Sequence, residues 1–397
     1  MKMEDEIRFV RNNIFRTDEM LAAENKILGE FSPEVSEEVL DYHKSLPGYS
    51  VTPLINLANL ARRIGVDSIM VKDESKRFQL NAFKVLGSSF ALAKYILGDS
   101  ETIRYQDAVE KGCNISTLVS ATDGNHGYSL AHVANLYQLS SKIFMPKGTV
   151  PERAERIRRL RADVEVTEYN YDQCVEIAKL FAESNGGLFV QDTALESDTE
   201  MEKRIPLSIM QGYTTILQEI INSCPDYSPS HIFLQCGVGS FAGALAAYIS
   251  NNERLHSKIV CVEPNKADCF FLSAQKKDGF PSSVLGDMDS IMAGLCCGVP
   301  SVQAWPILRR SASWFVSCSD SVTRRGMRIF ANPLPGDTRI VSGESGAVTM
   351  GLLYTILTDK KYENIKTELG LDINSRVLLI STEGDTDPFG FHANIWE

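Results

Sequence analysis

No stretch of the chain is apolar for long enough to cross a bilayer. Uncharged apolar runs such as Phe241–Ile249 and Val377–Ile380 fall far short of the ~20 residues a spanning helix needs, so no transmembrane segment is expected. The opening residues, Met1-Lys2-Met3-Glu4-Asp5-Glu6, are mixed in charge and lack the apolar core of a secretory signal, so the expected location is cytoplasmic. Positive charge is also short: 40 Lys and Arg against 51 Asp and Glu leave a formal net charge of −11, which argues against nucleic acid as a partner. The nine cysteines include no Cys-x-x-Cys pair, so neither a disulfide framework nor a common zinc site is signalled, and no metal is expected. Most should be buried thiols, with Cys269 and the adjacent Cys296 and Cys297 as the candidates for a pairing. Internal repeats and low-complexity tracts are absent too.

What is present is a chain of 397 residues, 44% hydrophobic and 23% charged, long enough for two or three lobes with ample core. Short apolar runs alternate with amphipathic stretches, the pattern of an α/β protein with parallel strands covered by helices. Expected strands include Ser68–Lys72, Thr117–Ala121, Lys142–Met145, His231–Gln235, Lys258–Val262 and Arg376–Ile380; expected helices include Phe83–Leu97, His126–Leu139, Tyr171–Ser184, Gly243–Asn251 and Ser345–Thr358. Most of these strands run out into Gly, Pro or acidic residues, where ligands of open α/β sheets collect. The first ~45 residues, charged and without alternation, read as a peripheral extension, and Glu196–Arg204 reads as a charged loop.

Four segments concentrate chemistry. In Lys72-Asp73-Glu74-Ser75-Lys76-Arg77-Phe78-Gln79-Leu80-Asn81-Ala82-Phe83-Lys84, a strand end passes through a polar loop into a helix that Asn81 could cap. Lys84 then falls in the first turn, where the helix dipole disfavours an ammonium and partial burial lowers the amine further, toward a nucleophile. Ser120-Ala121-Thr122-Asp123-Gly124-Asn125-His126-Gly127 empties a buried strand into a Gly-rich turn whose free amides suit a carboxylate, Asp123 serving equally as a helix cap. Gln235-Cys236-Gly237-Val238-Gly239-Ser240-Phe241-Ala242-Gly243 is a phosphate cradle at a strand-to-helix junction. Its spacing departs from the dinucleotide fingerprint, and no Lys-Ser or Lys-Thr follows to make a P-loop. The fourth, Leu378-Leu379-Ile380-Ser381-Thr382-Glu383-Gly384-Asp385-Thr386-Asp387-Pro388, ends an apolar strand in two hydroxyls, able to donate to a ring nitrogen without protonating it. Gln191-Asp192-Thr193 and Val341–Ala347, with Glu344, mark further junctions. Taken singly, each has an ordinary reading as a solvated lysine, a turn or a cap.

Together and in this order, the four resemble the fold type II enzymes that use pyridoxal 5′-phosphate. Within them, Lys-Asp-Glu-Ser, Leu-Asn-Ala-Phe-Lys, Ala-Thr-Asp-Gly-Asn-His-Gly, Gln-Asp-Thr, Ile-Met-Gln-Gly-Tyr and Ser-Thr-Glu-Gly-Asp-Thr-Asp-Pro look most like diaminopropionate ammonia-lyases, from about Thr52 to Pro388. The resemblance implies two open, twisted, mostly parallel sheets flanked by helices, with a discontinuous large domain (residues 1–86 and 193–397), a small domain (87–192) and a homodimer. It implies that Lys84 forms the Schiff base, that Asn125 approaches the phenolic oxygen, and that Gly237, Val238, Gly239, Ser240 and Gly243 bind the phosphate. By the same resemblance Glu344 would also lie at the cofactor, and Ser381 or Thr382 would face the pyridine nitrogen. Ser120, Thr122 and Asp123 would meet the substrate, and Asp123 and Asp192 would act from opposite faces on the D and L enantiomers. The implied reaction is α,β-elimination of 2,3-diaminopropionate to pyruvate and two ammonia. A serine or threonine dehydratase of the same fold, or a cofactor-binding protein without turnover, are the alternatives. Gln79 stands where the family pattern has glycine, and Ser88 follows Gly87 where another glycine is common.

Overall fold

The computed structural model describes residues 6–98, 100, 102–122 and 124–396. Eleven strands form among these, in chain order β1 (Ile7–Arg11), β2 (Leu54–Asn56), β3 (Ser68–Asp73), β4 (Thr117–Ala121), β5 (Ser140–Met145), β6 (Asp163–Val166), β7 (Leu188–Phe189), β8 (His231–Gln235), β9 (Lys258–Pro264), β10 (Trp314–Cys318) and β11 (Arg376–Ser381). The chain packs as two compact units. The first takes in the described residues up to Pro33, Val51–Asn81 and everything from Glu219 onward; the second takes in Glu34–Ser50 and Ala82–Gln218.

The first unit holds a seven-stranded sheet in the order β1-β10-β9-β8-β11-β3-β2. Its five central strands are mutually parallel, and β1 and β2 are antiparallel edges. Every residue of β8 and β10 is buried, the continuous burial expected of parallel strands covered on both faces. The core joins Phe233, Val260, Val262, Val377 and Leu379 of the sheet to Val348, Leu352 and Ile356 of the helix Glu344–Thr358. That helix meets the helix Asp320–Ala331 so closely that a Cβ on Gly351 would strike the carbonyl of Val322, and one on Gly326 that of Ala347. Because β8 and β11 are neighbours, their carboxyl ends bring the Gly237 loop and Ser381-Thr382 to the same edge of this sheet.

The second unit holds a four-stranded, wholly parallel sheet, β6-β5-β4-β7. Val119, Ala121 and Phe144 pack there against Cys174, Ala178 and Ala182 of the helix Tyr171–Asn185, which opens with a capping box between Asn170 and Gln173.

The amino-terminal segment corrects the expectation of a peripheral extension. Residues 7–11 pair with β10, and Thr17 caps the helix Asp18–Gly29 by accepting the Met20 amide at 3.2 Å. Glu24 of that helix is fully buried and accepts from Arg309 Nε at 2.7 Å. In the second unit Tyr42 and His43 are fully buried, the His43 ring joined to Thr215 Oγ1 at 2.7 Å and to the Leu86 carbonyl at 2.9 Å. The charged residues that hid these elements lie on their outer faces or in buried ion pairs. All nine cysteines are free thiols, including Cys269, Cys296 and Cys297.

Candidate active site

In the second unit Lys84 is itself the cap of the helix Val85–Leu97, with φ −60° and ψ −19°. Asn81 does not cap; its φ is +63°, its carbonyl accepts from Gly384 N at 3.0 Å, and its Nδ2 donates to Asp385 Oδ1 at 3.0 Å. Lys84 Nζ lies 2.5 Å from Asp192 Oδ2. The register of the sheet delivers that carboxylate: β7 pairs with β4, the Val190 amide donates to the Val119 carbonyl, and Asp192 follows two residues later. Burial alone would raise the Asp192 carboxyl, but the Lys84 ammonium and, more weakly, His126 outweigh it and hold it at about 2, so it is ionised across the ordinary pH range.

The loop after β4 is braced from below. Ser120 Oγ donates to Gln191 Oε1 at 2.8 Å, while Gln191 Nε2 donates to the Ala121 carbonyl at 3.1 Å and to the Tyr171 hydroxyl at 2.7 Å. Thr122 Oγ1 accepts the Gly124 amide at 3.0 Å, and Asn125 begins the helix Asn125–Leu136 half-buried. The His126 ring sits 2.9 Å from the Val190 carbonyl, tying that helix to the segment after β7 that carries Asp192. Asp123 lies outside the described residues.

In the first unit β8 ends at Gln235, and the chain turns through Gly237, Val238 and Gly239 into the helix Ser240–Asn251. Gly239 is the cap, at φ +92°; a Cβ there would be strained and would strike the Phe270 ring. The amides of Gly237, Val238 and Gly239 donate to no protein acceptor among the described residues, and the Gly243 amide closes the first helical turn onto the Gly239 carbonyl at 2.7 Å. Unspent amides at the amino end of a twelve-residue helix fit a phosphate group. At the end of β11, Ser381 is fully buried and its hydroxyl donates to the Glu383 carbonyl at 3.5 Å. Thr382 Oγ1 donates to Glu383 Oε2 at 2.6 Å. The Glu344 carboxylate accepts from Asn394 Nδ2 at 3.2 Å.

Sequence reasoning missed a buried ionic cluster under the loop that precedes Lys84. The Arg77 guanidinium binds Glu74 through Nε at 2.8 Å and Glu219 through both terminal nitrogens, at 2.6 and 2.9 Å. Lys72 Nζ donates to Glu219 at 2.5 Å and to the Thr52 carbonyl at 2.8 Å. All four charged side chains are at most 1% exposed, and burial of Glu219 is outweighed by Arg77 and Lys72, which hold its carboxyl below the usual range. Two cations and two anions cancel, the arrangement a buried charge requires. Lys72, Glu74 and Arg77 stood in a segment already singled out, but Glu219 is 142 residues from Arg77 and nothing local announces it.

The second unit carries a partly exposed amine beside a carboxylate, and the first a phosphate cradle with two hydroxyls at the end of β11; each by itself is a group suited to one part of a phosphorylated pyridine aldehyde. The chain belongs to the pyridoxal-phosphate dependent enzymes: the family model of that description matches residues 46–371, and pyridoxal 5′-phosphate is its cofactor. Within that family it is 43% identical over 375 residues to the diaminopropionate ammonia-lyase of Salmonella typhimurium, covering 91% of this chain and 92% of that one. The Escherichia coli diaminopropionate ammonia-lyase is 42% identical over 390 residues, 94% of this chain and 96% of that one. A crystal structure of the Escherichia coli protein in complex with D-serine superposes with a TM-score of 0.87 at 38% identity, covering 98% of this chain and 97% of that one. Another, holding an aminoacrylate-pyridoxal phosphate azomethine reaction intermediate, superposes at 0.85 with the same identity and coverage. A tomato threonine deaminase, 18% identical with a TM-score of 0.70, shares the fold.

Proposed function

We propose that this chain is a carbon–nitrogen lyase that converts 2,3-diaminopropionate, water being taken up, to pyruvate and two molecules of ammonia. The observation that carries the reading is the Lys84–Asp192 pair, an amine and an ionised carboxylate 2.5 Å apart, in a chain more than two-fifths identical to diaminopropionate ammonia-lyases. Lys84 is the residue that would hold the cofactor's aldehyde carbon, and Gly237, Val238, Gly239, Ser240 and Gly243 would hold its phosphate. Asn125 would meet its phenolic oxygen, and Ser381 or Thr382 its ring nitrogen, with Glu344 close by. When bound, the cofactor supplies an electron sink for the pair left on Cα. Asp192 takes the α-proton from the L enantiomer and Asp123 from the D enantiomer, because one fixed carboxylate reaches only one face of the substrate. Asp123, with Ser120 and Thr122 in its loop, also suits a substrate bearing a cationic β-amine. The β-amine leaves as ammonia after protonation, and water hydrolyses the remaining enamine to pyruvate and the second ammonia.

The test is a pyruvate-coupled assay with each enantiomer. Lys84→Ala is expected to lose the imine absorbance and all turnover. Asp192→Asn and Asp123→Asn are each expected to lose about 10²–10⁴-fold in kcat/KM on one enantiomer while keeping the cofactor. Equal losses on both enantiomers from one variant, with none from the other, would sink the two-base reading. Serine turned over faster than diaminopropionate would instead favour a dehydratase. The working form is a cytoplasmic homodimer, a location with which nine free thiols agree; sedimentation of the holoenzyme at the monomer mass would refute the dimer.

A further inference from the structure

Glu383 is a buried carboxyl to which the reaction above gives no task. It is 6% exposed, and it stands directly after the two hydroxyls that close β11. Its Oε1 accepts the Gly346 amide at 2.6 Å and its Oε2 accepts Thr382 Oγ1 at 2.6 Å, while its own carbonyl accepts the Gly343 amide at 2.9 Å. These contacts fix the side chain from two sides, so neither oxygen is free to turn. The local reading is a cap for the helix Glu344–Thr358. That reading explains the oxygen on Gly346 and leaves the one on Thr382 without a purpose.

The consequence lies in how many protons are available. A hydroxyl carries one proton and two lone pairs. With Glu383 ionised, the Thr382 proton is committed to Oε2, and Thr382 has only lone pairs to offer anything else. With Glu383 protonated on Oε2, the carboxyl becomes the donor and the Thr382 proton is released to turn outward.

We propose that Glu383 is a positioning residue that sets the sense of the Thr382 hydroxyl, and through it whether the end of β11 presents one donor hydroxyl or two to the cofactor's ring nitrogen. The inference rests on the placement of Ser381 and Thr382 at that nitrogen, proposed above. A hydroxyl that donates leaves the nitrogen unprotonated, whereas one that can only accept favours a nitrogen that carries its own proton. Both states are within reach at neutral pH: burial raises the carboxyl, Thr382 and the Gly346 amide pull it down, Glu344 pushes it up and the Ser345 amide pulls it down, leaving it at about 7. The groups facing it are Thr382 and Gly384 on its own segment and Gly343, Glu344, Ser345 and Gly346 opposite. Glu344 is the charged one among these, and Asp385, one residue past Gly384, is held by Asn81 at 3.0 Å.

Two measurements decide it. In cofactor-free protein carrying 13C-labelled glutamate carboxyls, one resonance should titrate near neutrality and vanish in Glu383→Gln; its absence overturns the inference and leaves the cofactor reading untouched. In holoenzyme rebuilt with 15N-labelled cofactor, the ring-nitrogen shift should move across the neutral pH range in the wild type. It should be flat in Glu383→Gln, whose carboxamide donates to Thr382 at every pH, and flat in Thr382→Val. Thr382→Ser, which keeps the hydroxyl, should restore the movement, an outcome that a cap or a packing role would not produce. A shift that moves identically in wild type and Glu383→Gln, or that survives Thr382→Val, overturns the proposal. A shift indifferent to Ser381→Ala and Thr382→Val combined, with cofactor still bound, overturns the placement of β11 at the nitrogen and this inference with it.

Discussion

Asp192 is held in its ionised form chiefly by Lys84, with a weaker pull from His126, and that makes its contribution to stability depend on pH in a stated direction. Folded, its carboxyl sits at about 2; unfolded, it returns to the ordinary 3.8. A depressed acid stabilises the fold above its unfolded value and loses that contribution as pH falls through its folded one, here between about 4 and 2. The gap corresponds to about 2 kcal/mol at 1.36 kcal/mol per unit. In cofactor-free protein the melting temperature of Asp192→Asn should therefore lie below the wild type at pH ~6 and converge on it toward pH ~2; a constant difference would show that Lys84 does not hold the charge. Gln79 gives a second case. It occupies φ +60°, between Phe78 at +49° and Asn81 at +63°, in the left-handed region that favours glycine. Gln79→Gly should relieve backbone strain and stabilise by about 0.5–1 kcal/mol, read as a rise in melting temperature, the extra freedom of glycine in the unfolded chain offsetting part of the gain.

At the scale of elements, the glycine loop after β8 is fixed by what lies under it. Phe270 fills the space where a Gly239 side chain would go, and the Phe270 and Phe271 amides are held by the buried Glu263 at 2.8 and 2.7 Å. Glu263 is thus a structural acid, and burial raises its carboxyl well above the usual range. Gly239→Ala should accordingly displace the loop and weaken cofactor binding, measured as loss of bound cofactor on dialysis, while Ala at the neighbouring Ser240, which allows ordinary helical backbone, should retain more. Full occupancy of Gly239→Ala would mean that the loop is not the phosphate site.

At the scale of the whole molecule, the amino-terminal segment is part of the sheet rather than an addition to it. β1 covers the outer edge of β10 over five residue pairs, and Arg8 bridges to Asp268 and donates to Ser317 Oγ at 2.9 Å. Removing residues 1–12 would leave β10, an entirely buried strand, as an exposed sheet edge. The shortened protein should melt at a lower temperature and form concentration-dependent aggregates by light scattering. Unchanged solution behaviour would show that the edge is covered by something else. The acidic balance of −11 adds a mild attraction for a cationic substrate, screened beyond about 10 Å at ordinary salt.

The sequence by itself determined the α/β alternation, the parallel runs from Ser68 to Ile380, the glycine loop at 237–243 and the lysine at 84, because strand and helix periods and turn chemistry are carried by neighbours in the chain. Only the tertiary structure decided that Glu219 neutralises Lys72 and Arg77, that Lys84 meets Asp192 across 108 residues, and that Glu383 holds the Thr382 proton. It likewise decided that a charged amino-terminal stretch supplies a strand and buried side chains. Such facts depend on which groups are brought together away from water. Desolvation and pairing act between residues far apart in sequence, and no local pattern encodes them.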